Sequence, residues 1–161
     1  MEIALYRGVS RTSRLIRWWT RSEYSHAALI LDDGRIVEAW HKPLLTGGAV
    51  RVIMDLSDGH TPNTPVDIFD LTGLTYQQAA VAKSFALLQL GKKYDWGAIL
   101  GFITRTQSTG NQDKWDCSEL IYAALSAAGY QLLDYMNPCE ASPGDLARSP
   151  KTIKSDTRYT R

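Results

Sequence analysis

The chain has 161 residues, a formal net charge of +1, 44% hydrophobic residues and 22% charged residues. That balance fits one globular domain over residues 1–161 with a core of its own, and it excludes nucleic-acid binding through bulk positive charge. Two cysteines cannot make a disulfide framework, no basic-then-apolar leader opens the chain, and the longest apolar run, about Trp96 to Ile103, is too short to span a bilayer. A soluble cytoplasmic protein is the expectation.

Ile3–Tyr6 reads as a short strand. Thr12–Thr20 has helical spacing, with Leu15, Trp18 and Trp19 on one side and Arg14, Arg17 and Arg21 on the other. From Arg7 to Ser22 there are five Arg and no acid. Arg14, Arg17, Trp18 and Trp19 would suit a membrane surface or an anionic partner, and an ordinary surface helix is the alternative. Ser25–Leu31 and Ile36–Trp40 read as two strands joined at Asp32-Asp33-Gly34, a hairpin. Val50–Met54 and Val66–Asp70 are further strands, with a Pro-rich loop from Asp58 to Pro65 between them.

Thr75–Leu90 is the best-marked helix, with Thr75 and Gln78 spaced as a capping box and Gly91 at its end. Trp96–Ile103 reads as a short helix. Another helix starts near Asp116, which can cap it, and ends at Gly129. Ser142-Pro143-Gly144-Asp145-Leu146 reads as a turn into a short helix or a closing loop. The tail from about residue 149 is either peripheral or returns across the sheet.

Cys117 sits in the first turn of the helix that begins at Asp116. Unpaired amides and the helix dipole there favour an anion, and so a thiolate. Cys139 lies in Asn137-Pro138-Cys139 with no such helix start and reads as structural. A nucleophilic thiol needs a base, and the only histidines, His26, His41 and His60, all precede both cysteines. His26 lies in a strand, where an imidazole is held firmly, whereas His60 reads as solvated in its loop. The third group is Glu38 or His41, and hairpin register decides between them. A two-residue turn places residue 26 opposite His41 with Glu38 on the other face. A three-residue loop, Asp32-Asp33-Gly34, puts Glu38 on the face of His26, diagonally adjacent. A buried Glu among Ile36, Val37, Ala39 and Trp40 costs free energy unless paired, which favours the second register. A metal site from Cys117, Cys139, His26 and His60 is a further option, but no pair has ligand spacing such as Cys-x-x-Cys, so no metal or cofactor is expected.

Tyr24-Ser-His-Ala-Ala-Leu-Ile-Leu31, Ile36-Val-Glu-Ala-Trp40, Tyr94-Asp-Trp96, Trp115-Asp-Cys-Ser-Glu-Leu-Ile121 and Ser142-Pro-Gly-Asp-Leu146 together resemble the circularly permuted NlpC-type papain-like proteins. The nearest branch is the YiiX/YaeF-like hydrolases, with lecithin retinol acyltransferase a more distant relative. The similarity spans residues 2 to 148. It implies an α+β fold, an antiparallel half-barrel sheet packed on helices. It also implies a cysteine hydrolase with Cys117 as nucleophile, His26 as base and Glu38 as the third residue. Attack on a carbonyl would give an acyl-thioester, its oxyanion held by the Cys117 amide and the Tyr24 hydroxyl. Tyr24, Trp40, Tyr94 and Trp115 would contact a peptide, cell-wall-like amide or lipid-like substrate; acyl transfer, ester hydrolysis or an inactive binding module are the alternatives. The chain departs from the family in having Tyr6-Arg7-Gly8 where many members carry a Gly-Asp pair before the first strand.

Overall fold

The computed structural model describes residues 1–41, 47–95, 114–134 and 136–161. Its strands are β1 (Glu2–Tyr6), β2 (His26–Ile30), β3 (Ile36–His41), β4 (Gly48–Ile53), β5 (Pro65–Leu71), β6 (Lys93–Tyr94), β7 (Lys114–Trp115) and β8 (Thr152–Tyr159). They form one sheet in the order β7-β6-β4-β3-β2-β1-β5-β8. The helices are α1 (Arg11–Thr20), α2 (Tyr76–Leu88), α3 (Cys117–Ala127) and α4 (Pro143–Arg148). The short helix expected at Trp96–Ile103 lies outside the described residues. Among the described residues no helix is long and apolar enough to cross a membrane.

Helix starts follow their caps. Thr75 and Gln78 form the expected capping box at α2, Asp116 and Glu119 form one at α3, and Ser142 and Asp145 form one at α4. Ser10 caps α1 by accepting from the Ser13 amide.

The β2–β3 hairpin has the three-residue loop. The Leu31 amide donates to Arg35 O and the Gly34 amide to Leu31 O, and Gly34 takes φ +83°, which favours glycine. Leu29 therefore pairs with Val37, and Ile30 with Ile36. Alternation then sorts the sheet into two faces. Ile3, Leu5, Ala27, Leu29, Val37 and Ala39 join the core under α2 and α3, with Leu120, Ile121 and Leu125 of α3. Ala4, Tyr6, Ala28, Ile30, Ile36 and Ile53 form a second apolar cluster with Val66 and Ile68. Glu38 and His26 point to this second face, at its polar end.

One feature differs from expectation, and one open alternative is decided in favour of the tail's return across the sheet. The sheet is antiparallel except for its last pair, β6 and β7, which run parallel. The C-terminal tail returns as β8 along β5, from Thr152↔Leu71 to Tyr159↔Pro65. Polar contacts rather than apolar alternation hold it. The Thr157 hydroxyl donates to the buried Asp67 carboxylate (2.7 Å), Lys154 Nζ lies 2.9 Å from it, and the Thr160 hydroxyl accepts from the Thr64 amide.

Asp67 also takes the Tyr24 hydroxyl (2.8 Å) and Arg7 Nη2 (2.9 Å), so it ties β1, β2, β5 and β8 together. Burial alone would raise its pKa, but these partners bring it down to about 2. Its contribution to stability is therefore complete above the ordinary Asp value of about 4 and is lost as pH falls toward 2. Asp67→Ala is expected to lose about 3 kcal/mol at neutral pH, because a buried hydroxyl and two cations lose their acceptor. Urea unfolding measures this; a loss under about 1 kcal/mol would contradict the assignment.

Candidate functional site

Glu38 is the centre of the site. Its side chain is fully buried, yet each oxygen has partners. Oε1 accepts from Arg51 Nε (2.8 Å) and Nη2 (2.6 Å), directly across the β3–β4 ladder, where Glu38 pairs with Arg51. Oε2 faces two imidazoles, His26 Nε2 at 2.7 Å and His60 Nε2 at 3.1 Å. Burial would raise the Glu38 pKa, but hydrogen bonds from His26 and His60 outweigh it and hold the carboxyl below its ordinary range. Burial pushes His26 the other way, so its ring is neutral near pH 7.

These two facts assign the tautomer. An ionised carboxylate only accepts, so each ring contact needs a donor. His26 and His60 therefore carry their protons on Nε2. The lone pair of His26 is on Nδ1.

His60 was expected in solvent. Its side chain is instead 12% exposed and stacks on Tyr6 at 4.2 Å between ring centroids. Short-range turn bonds fold the loop back: the Asp58 amide donates to Asp55 O and the His60 amide to Ser57 O. Arg51 Nη2 also donates to Asp58 O (2.6 Å), drawing the loop onto the sheet. Gly59 takes φ +78°, and a Cβ there would meet the Arg51 guanidinium at 2.9 Å, so the loop needs glycine. The Arg51 guanidinium lies over the Trp40 ring, 4.1 Å from its centre.

The imidazoles border a cavity of about 170 Å³ whose wall includes Tyr6, Ser25, His26, Trp40, His41 and His60. Ser10 and Ser13 at the start of α1 line its mouth. Further along α1, Arg14, Arg17 and Trp18 border a second, open depression, with Leu15 and Trp18 exposed. The Trp19 side chain lies outside the described set.

Cys117 is the first residue of α3 and is buried in the helix-side core. Its position there is specific. The β2–β3 ladder is formed at Leu29↔Val37 and Ile30↔Ile36, and odd-numbered amides of β2 face β3, as Leu31 does. The Ala27 amide, next to His26, faces the Cys117 sulfur. Burial and then the Asp116 charge push the thiol up to about 12, against the amides of Ala27, Ser118 and Cys117. Burial, the larger cause, and the Asp116 charge thus work against the thiolate that the helix start favours. Burial raises Asp116 as well, to about 6, while the amides of Glu119 and Ser118 hold it down.

The other expected contacts separate. Trp40 lines the cavity. Tyr94 is buried with its hydroxyl on Cys117, and burial, followed by the neighbouring Cys117 and Asp116, raises that hydroxyl's pKa. The Tyr24 hydroxyl, expected at the oxyanion, donates to Asp67 instead. Trp115 packs edge-on to Phe85 and donates from Nε1 to Gln89 Oε1, within the helix-side core. His41 lies against Tyr94 on the opposite face from Glu38, with ring centroids 5.4 Å apart. Cys139 falls in a short 3₁₀ turn, Pro138–Glu140, with no helix N-terminus behind its sulfur.

No protein-family model matches the chain, and no curated protein matches it. Among solved structures, the metalloprotein yiiX from Escherichia coli O157:H7 is similar, with a TM-score of 0.69 and 18% identity, covering 98% of this chain and 96% of that one. At that identity the likeness is one of fold: a mixed α+β, YiiX-like arrangement of open sheet and helices.

The tautomer is open to measurement. Ring ¹⁵N shifts should show His26 neutral and protonated at Nε2 near pH 7, with that preference lost in Glu38→Ala. A His26 ring protonated at Nδ1 would contradict the assigned hydrogen bond.

Proposed function

We propose that the chain is a thiol hydrolase of permuted papain type, acting on an amide through an acyl-thioester on Cys117. The observation that carries this reading is the 2.7 Å contact from His26 Nε2 to the buried Glu38. It fixes the ring with its basic nitrogen, Nδ1, available to a thiol, and Cys117 lies against the amide of the very next residue. His26 Nδ1 takes the thiol proton as sulfur attacks the carbonyl carbon, and the carbonyl electron pair moves to oxygen. The Cys117 amide and the Tyr94 hydroxyl hold that oxyanion; Tyr94 takes the role first expected of Tyr24. Collapse expels the amine, which receives the proton from His26. Water then attacks the thioester with His26 as base and releases the acid.

The thiol pKa of about 12 makes the base indispensable. Unassisted, the thiolate fraction near neutral pH is small. Ser10 and Ser13 at the cavity mouth, with Arg14, Arg17 and Trp18 further along the same helix, favour a peptide or acyl-amide substrate met at an anionic or lipid surface.

Iodoacetamide near neutral pH tests the nucleophile. Cys117 should be alkylated about tenfold or more faster than Cys139, and His26→Ala should remove the preference. Equal labelling of both cysteines, or faster labelling of Cys139, would leave a papain-shaped binding module without a catalytic thiol.

A further inference from the structure

His60 has no part in that chemistry, yet the chain builds a loop to bring it to Glu38. One ring nitrogen of His60, one of His26 and a Glu38 carboxylate oxygen all lie within 4.8 Å of one another, and both Nε2 atoms face Glu38 Oε2. Two imidazoles and one carboxylate are the ligand set of many zinc sites. We propose that His26, Glu38 and His60 form a divalent-cation site of zinc type, and that an occupied site switches the thiol off. The second part rests on the hydrolase reading; the first does not.

Ligand atoms about 2.0–2.1 Å from a tetrahedral ion are about 3.3 Å apart. The present separations to Glu38 Oε2 are 2.7 Å from His26 and 3.1 Å from His60. To admit an ion His26 must withdraw from that oxygen by about 0.6 Å and His60 by about 0.2 Å. The supporting contacts are already in place: Arg51 grips the other oxygen, Oε1, and leaves Oε2 turned to the imidazoles, while Tyr6 stacks on His60. His26 and His60 also line the cavity, which gives an ion an entry path and room for a water as fourth ligand.

The switch follows from tautomers. Without the ion, both rings carry the proton on Nε2 and His26 offers Nδ1 to the thiol. An ion on Nε2 takes that lone pair, so the neutral ring must carry its proton on Nδ1. No proton is gained or lost overall, but His26 can no longer accept one from Cys117.

Zinc binding by isothermal titration, on wild type and on Cys117→Ser, tests the site apart from any thiol chemistry. Both proteins should take up one zinc. His60→Gln, which keeps a donor toward Glu38 but not the ligand, should bind at least about tenfold more weakly. Ring ¹⁵N shifts of His26 should move from the Nε2-protonated to the Nδ1-protonated pattern as zinc is added. For the switch, zinc should slow alkylation of Cys117 in wild type, EDTA should restore it, and in His60→Gln the same zinc concentration should have no effect. Loss of zinc uptake in Cys117→Ser, or undiminished uptake in His60→Gln, would overturn the site. Zinc uptake through His60 with an unchanged Cys117 rate would overturn the switch. A Cys117 that does not label even without zinc would sink the hydrolase reading, while the titrations still decide the site.

Discussion

A fully buried carboxylate is the constraint around which this molecule is arranged. Glu38 sits in the middle of a sheet, where an unpaired charge costs several kcal/mol, and the surrounding residues answer that cost on both oxygens. Arg51 meets one oxygen across the ladder. Two imidazoles donate to the other. Each of these contacts requires a specific register: the three-residue loop of the β2–β3 hairpin for His26, and the direct β3–β4 pairing for Arg51. A slip of one residue in either ladder would turn Glu38 to the opposite face and leave it without partners.

The same constraint links the two faces of the sheet. Glu38 orients His26 from one side, while α3 delivers Cys117 from the other, onto the amide beside His26. Neither group is reactive alone. The thiol is buried beside the Asp116 cap and stays protonated, and the imidazole is neutral. Under the proposed hydrolase reading, such a site would ionise the thiol only as a proton passes to His26, with no preformed thiolate–imidazolium pair.

Much of this was legible in the residues because local chemistry dictated it. Capping residues placed α2, α3 and α4, and Asp32-Asp33-Gly34, with the penalty for an unpaired buried Glu, selected the register that brings Glu38 to His26. What escaped notice depends on long-range polar contacts. β8 has no apolar alternation, and Asp67, some ninety residues away, holds it through Thr157. His60 belongs to a loop whose Pro-rich composition reads as solvated; its own turn bonds and the Arg51 bond to Asp58 O fold it inward. Gly59, directly before His60, was the one local sign of a close approach. Tyr24 and Tyr94 are equally aromatic in the sequence, and only the fold separates a hydroxyl on Asp67 from one on Cys117. Burial of the thiol and the Asp116 charge beside it, which oppose the pull of the helix start, also come from the fold rather than from local sequence.

The central claim is that Glu38 makes His26 a base for Cys117. Intact-mass analysis after brief exposure to an activated acetyl ester tests it most directly. The account predicts a single acetyl group on Cys117, released by hydroxylamine as a thioester is, and much slower acetylation in Glu38→Gln. Acetylation confined to Cys139 or lysines, or a Glu38→Gln protein that acetylates Cys117 as fast as wild type, would contradict it.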